Sequence, residues 1–132
     1  MKYYKTQKMY KASNVTFNVE TLEAYSYGWW SFVKVINGEV VFNEYRYSVS
    51  TSKHQTKVLS LMSQLNIKID RFVQCKDGLQ HISTIKELNK NENETLKIIA
   101  EREAAKKQRQ RERARTRYLA KKQAALTSEV QS

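Results

Sequence analysis

The sequence predicts an α+β fold: a small antiparallel sheet packed on one or two helices and followed by a long basic C-terminal helix. Three observations carry that reading. Asn37-Gly38 separates two β-prone runs, Trp29 to Ile36 and Glu39 to Tyr47, which is the signature of a hairpin with a type I′ turn. Val58, Leu61, Met62 and Leu65 recur at helical spacing. From Glu92 to about Leu126 the chain is rich in Ala, Glu, Lys, Arg, Gln and Leu and contains no Gly or Pro, so helix is the propensity choice.

Met1 to Lys11 is too polar in pattern to assign. Val15, Phe17 and Val19 alternate as a strand does. In the hairpin, the two-residue loop sets Ile36 opposite Glu39, Val35 opposite Val40, Val33 opposite Phe42 and Trp30 opposite Tyr45. One face then carries Val33, Val35, Val40 and Phe42, and the other Trp30, Phe32, Val41 and Tyr45. Both are partly apolar, so at least one needs a cover. The next element supplies it: Ser52-Lys53-His54-Gln55 fits a capping box, and the apolar positions after it define an amphipathic helix. Ile67 to Cys75 reads as a strand with a bulge, ended by Asp77-Gly78. Gln80 to Leu88, with Ile82, Ile85 and Leu88 on one side, reads as a short helix. Apolar periodicity lapses at Asn89 to Asn93, which divides the chain into a body, residues 1–90, and an arm, residues 91–132.

Composition narrows the function. The 132 residues carry a net charge of +11, and the length allows one ordinary domain with an appendage rather than a large catalytic fold. No apolar run approaches the ~20 residues that cross a bilayer, and the first residues lack a hydrophobic signal core, so the chain reads as soluble and unsecreted. The single cysteine, Cys75, with His54 and His81, has none of the spacings of a zinc site, and no metal or cofactor is expected. Three glycines and no proline leave no phosphate-binding or dinucleotide loop. No acid/base pair has recognisable spacing, so no enzymatic activity is expected.

The stretch from Tyr25-Ser26-Tyr27-Gly28-Trp29-Trp30 through the hairpin to Thr51-Ser52-Lys53-His54 resembles small uncharacterised proteins of tailed bacteriophages, in which an aromatic hairpin runs into a Ser/Thr-rich helix start ending in Lys or Arg and then His. The resemblance covers Tyr25 to Lys76. It implies phage origin and the host cytoplasm, and it transfers no mechanism and no site residue.

The charge is concentrated in the arm. Residues 1–100 have a net charge of +5, whereas residues 101–122 contain 10 Lys+Arg and 3 Asp+Glu. Arg102, Lys106, Arg109, Arg113 and Arg117 fall on one helical stripe. Lys107, Arg111, Arg115 and Lys122 fall on a second, and Lys121 extends the basic surface. Between Ala100 and Arg117 nothing larger than Ala could enter a core, which argues against a coiled coil. Like charges at i, i+4 repel, so the free arm is expected to fray and a polyanion to relieve the repulsion. Nucleic acid is such a polyanion, with a phosphate every ~1.7 Å of duplex axis, and arginine suits forked contacts to phosphate. These ten residues are therefore the candidate site for RNA or DNA phosphates. The alternative is an interaction module that binds a host protein, with the arm speeding association; no membrane partner is expected.

Outside the arm, Tyr25, Tyr27, Trp29, Trp30, Tyr45 and Tyr47 read as a packed hairpin core rather than a base-stacking platform. Trp29 opposite Arg46 could form a cross-strand cation–π pair. His54 reads as a hydrogen-bonded residue fixing the helix start, Ser50, Thr51 and Ser52 as N-cap candidates, and Cys75 as packed.

Overall fold

The computed structural model describes residues 2–4 and 9–131. Seven strands form one sheet in sequence order, β1 (Lys2–Tyr4), β2 (Met9–Ala12), β3 (Val15–Asn18), β4 (Glu23–Ser26), β5 (Trp30–Ile36), β6 (Glu39–Asn43) and β7 (Arg71–Val73). Helix α1 (Val49–Gln64) crosses between β6 and β7, and α2 (Ile85–Gln131) follows. The fold is α+β with a long C-terminal helix. Two compact units divide it, residues 1–96 and residues 97–132. The sequence-based boundary at 90 lies inside α2.

The first six strands pair antiparallel in order, and from β2 to β6 each connection is a short turn with a residue suited to it. Asn18 Oδ1 accepts the N–H groups of Glu20 and Thr21, an Asx turn that reverses the chain from β3 to β4. Asn37 and Gly38 both have positive φ, 51° and 78°, as a type I′ turn requires. The expected register follows: Ile36 faces Glu39, Val35 faces Val40 and Val33 faces Phe42. It stops at Asn43. Asn43 Oδ1 accepts the N–H groups of Tyr45 and Cys75, and its Nδ2 donates to the Cys75 carbonyl, so the backbone turns out of the ladder there. Trp30 therefore does not face Tyr45. It pairs with Ser26 across β4, and Trp29 meets the Tyr47 ring edge-on at 5.8 Å instead of Arg46.

Both faces of the sheet are covered. Register alignment puts Tyr10, Phe17, Ala24, Val33 and Phe42 in one row across β2 to β6, and all five are buried. On that side lies α1, with Thr51, His54, Gln55, Val58 and Met62 buried. On the opposite face Ile36, Val41 and Val73 pack with Cys75, Leu79, Ile82 and Leu88. The segment after β7 is stitched down by backbone and side-chain bonds: the Leu79 N–H donates to the Ser31 carbonyl, the Ser31 N–H to Gln80 Oε1, and Lys34 Nζ to the Ile82 carbonyl at 2.6 Å.

Several elements depart from the expected ones. Helix α1 starts a turn earlier than the Ser52 box, because Ser48 is its N-cap and its Oγ accepts the Thr51 N–H. Gln55 is then free to donate to the carbonyls of Asn43 and Tyr45, holding the β6 exit against the helix. The expected strand from Ile67 to Cys75 shrinks to β7, which pairs parallel to β6. The short helix at 80–88 is absent as such. Residues 79–84 form turns, Thr84 Oγ1 accepts the Glu87 N–H, and a single helix runs from Ile85 onward. Asparagines 89, 91 and 93 do not break it; Asn91 Nδ2 donates back to the Glu87 carbonyl. Strands β2 and β4 lay outside the sequence assignments, as did β1, whose side chains are among those not described.

Candidate nucleic-acid interface

The described part of the second unit is helix, half-buried only at Ile98 and Ile99 near its start. Every residue from Ala100 to Thr127 is exposed. The sequence explains this: up to Arg117 no apolar residue is larger than Ala, Tyr118, Leu119 and Leu126 beyond it stand exposed, and the helix rests on the propensities of Ala, Arg, Lys, Glu and Gln. Side-chain bonds within it are local. Gln108 Nε2 donates to Glu112 Oε1 at 3.4 Å, and Thr116 Oγ1 donates to the Glu112 carbonyl.

All ten candidate residues, Arg102, Lys106, Lys107, Arg109, Arg111, Arg113, Arg115, Arg117, Lys121 and Lys122, stand exposed on this one helix. At about 100° per residue the first stripe, Arg102 to Arg117, occupies an arc of about 80°. The second, Lys107, Arg111, Arg115 and Lys122, is centred about 160° away. The two seams between the stripes differ. One carries Glu101, Ala105, Gln108 and Glu112; the other carries Gln110 and Ala114, with Glu103 at its N-terminal end. Chemically the arrangement offers donors and positive charge on two nearly opposed sides of a rod.

The body holds three other groupings that bear chemistry. Ser26 Oγ lies 2.8 Å from His54 Nδ1 and 3.1 Å from Thr51 Oγ1, the spacing of a nucleophile and its base. Ser26 and Thr51 are fully buried, however, so no substrate reaches the hydroxyl. The trio ties β4 to α1. Burial, and next the Lys57 ammonium, hold the His54 imidazolium below its ordinary range, while a backbone hydrogen bond to Ser13 works the other way. The hydrogen bond expected of His54 is present, but the residue lies in the second turn of α1 and not at the helix start. Cys75 is buried as well, and burial, with Glu92 and Asp77 nearby, pushes its thiol up to about 12, out of reach of thiolate chemistry at neutral pH. An open depression of about 410 Å³ lies between α1 and the β6–β7 edge, lined by residues including Phe42, Arg46, Gln55, Leu59 and Phe72. No buried side-chain nitrogen or oxygen among the described residues lacks a partner. Among the described residues no set of three or more His, Cys, Asp or Glu could hold a metal ion, and no helix is long and apolar enough to cross a membrane.

The aromatic residues divide. Trp30 and Tyr45 are buried, with Trp30 Nε1 donating to the Lys76 carbonyl. Tyr27, Trp29 and Tyr47 are 47%, 50% and 49% exposed. The Tyr27 ring lies 5.4 Å from that of His54, and Tyr47 bridges Trp29 and Trp30. A core reading of the whole set misses these three. For Tyr27 and Trp29 the signal is Tyr27-Gly28, whose positive φ values of 55° and 75° lift the chain out of the sheet before β5 begins, whereas Tyr47 lies beyond the end of β6.

Comparisons with protein-family models, with curated proteins and with solved structures found no match to this chain.

Proposed function

We propose that the protein is a non-enzymatic nucleic-acid-binding accessory protein whose arginine-rich C-terminal helix contacts phosphates, with the α+β body as its carrier. The single observation behind this reading is the arm: ten Lys and Arg residues within 22 positions, all exposed, on a helix with no apolar seam. Between Ala100 and Arg117 such a surface has nothing larger than Ala to bury, and neutralising phosphates with release of their counterions is the association it suits. Phage origin and a host-cytoplasmic setting belong to the same proposal and rest on the resemblance over Tyr25 to Lys76.

The test is the salt dependence of binding by the intact chain. Replacing Arg109, Arg113 and Arg117 with Gln keeps good helix formers. It should flatten the slope of log affinity against log salt by about 2 to 3, since each phosphate contact contributes roughly 0.9. An unchanged slope and affinity, or no binding to DNA or RNA at low salt, would refute the proposal. A second reading, docking on a host protein, draws on the exposed Tyr27, Trp29 and Tyr47, since aromatic residues anchor protein interfaces. It predicts that one protein partner is retained by a chain lacking the arm.

A further inference from the structure

The two basic stripes are the feature that a simple phosphate-contact reading does not use. A helix lying flat on one sugar-phosphate backbone needs charge on one side only. This helix carries Lys106, Arg109, Arg113 and Arg117 on one side and Lys107, Arg111 and Arg115 on nearly the opposite side over the same stretch. One polyanion presents phosphate on two opposed sides of a rod: a duplex whose groove the rod has entered. The B-DNA major groove, ~12 Å wide, admits a helix of ~10–12 Å diameter between its two phosphate walls. The A-form groove of regular double-stranded RNA is too narrow.

The seams between the stripes set which side goes in. Between Lys106 and Arg117 the one acid, Glu112, lies on one seam, where it would meet the negative potential of the groove floor if that seam faced inward; Glu101 on the same seam and Glu103 on the other precede this stretch. Between Arg109 and Arg117 the other seam offers only Gln110 and Ala114. A glutamine amide can pair with the adenine edge, and an alanine methyl can pack on the thymine methyl. Both stripes flank this seam.

Resting on the nucleic-acid reading above, we infer that residues 106–117 of α2 enter the major groove of B-form DNA with the Gln110–Ala114 seam towards the bases, and that the two stripes grip the phosphates of opposite strands. A straight helix leaves a curving groove at both ends, so Arg102, Lys121 and Lys122 contribute less than the central charges.

The experiment places one new negative charge on either seam of the full chain. Ala114→Glu and Ala105→Glu are the same chemical change on opposite sides of an exposed helix, and circular dichroism checks that helix content is equal. Against a short mixed-sequence B-DNA duplex, Ala114→Glu should weaken binding by about tenfold or more, whereas Ala105→Glu should change it by no more than about threefold. Replacing Lys107, Arg111 and Arg115 with Gln should flatten the salt slope by about 2 to 3, as much as the Arg109/Arg113/Arg117 substitution does. The same duplex carrying glucosylated 5-hydroxymethylcytosine, which fills the major groove without altering the phosphates, should bind more weakly than the unmodified one. Equal effects of the two glutamates, a slope that responds to one stripe alone, or indifference to the glucosyl groups would overturn groove insertion and leave flat phosphate binding standing. Tighter binding to a bulged RNA than to B-DNA would overturn the choice of DNA. Failure of the intact chain to bind any of these nucleic acids at low salt would remove the underlying proposal as well.

Discussion

His54 shows how one side chain joins packing to charge. Its ring is 6% exposed, bonded to Ser26 on β4, and covered by the Tyr27 ring. Protonating it would place a cation in a buried site near Lys57. Its folded-state pKa lies below the ordinary value, so between the two values the unfolded chain holds more protons than the folded one. Stability from this site is therefore complete above about pH 7 and is lost as pH falls through the ordinary value of ~6.5 towards the folded one. Urea midpoints measured from about pH 8 to 5.5 should fall on acidification, and His54→Gln should remove that part of the dependence. A wild-type midpoint that is flat or rises on acidification would show that the imidazole is not held neutral. The same scale explains a misreading of the helix start. Ser52-Lys53-His54-Gln55 looks like a capping box because Ser and Thr compete for backbone groups wherever they occur. Ser48 wins because its Oγ reaches the Thr51 N–H and its carbonyl also takes the Ser52 hydroxyl, which closes the first turn.

At the level of elements, β5 organises the body. Ala24 faces Val33 while Tyr25 faces Ser31, so Phe32 is an extra residue in the ladder against β4. The bulge lets Phe32 pack against both Trp30 and Phe42. Trp30 is 1% exposed and donates its indole N–H to the Lys76 carbonyl. Trp30→Ala should cost about 3 kcal/mol or more, read as a shift in denaturant midpoint at constant slope. Lost nucleic-acid binding at unchanged stability would instead make this ring part of a binding surface. The hairpin and α1 were legible in the sequence because their signals are local: Asn37-Gly38 dictates its turn, and Val58 and Met62 recur at helical spacing. The short extent and parallel pairing of β7 were not. They follow from Asp70, whose carboxylate accepts the Val40 N–H and whose own N–H reaches the Val40 carbonyl, contacts separated by thirty residues. β2 and β4 were hidden because each is four residues long and its buried positions are few, Tyr10 in β2 and the small Ala24 and Ser26 in β4, an alternation too short to read without its partners. The basic stripes could be read from spacing alone, since an exposed helix keeps the periodicity of its sequence; their freedom from burial could not.

At the scale of the whole molecule, the decisive fact is how far the body extends into α2. Glu92 Oε2 accepts the Gln74 N–H, and Thr95, itself buried, accepts the Lys76 N–H through its hydroxyl. A chain ending after Leu96 should unfold cooperatively with a midpoint close to that of the full protein. One ending after Lys90 loses both acceptors and should be less stable by about 2 kcal/mol or more, since two part-buried N–H groups lose their partners. Equal midpoints for the two truncations would mean that the Glu92 and Thr95 bonds contribute nothing. The exposure of the second unit has a further consequence. Every lysine and arginine between Ala100 and Thr127 is a cleavage site for a trypsin-like protease, and only helical hydrogen bonds keep the backbone from a protease cleft. Opening a stretch of lone helix requires local fraying, whereas reaching Arg71 or Lys76 requires disrupting a packed sheet. The arm is thus the perishable part of the molecule. Whatever covers its charges also sets how long it survives, so arm and body have separate lifetimes wherever proteases act.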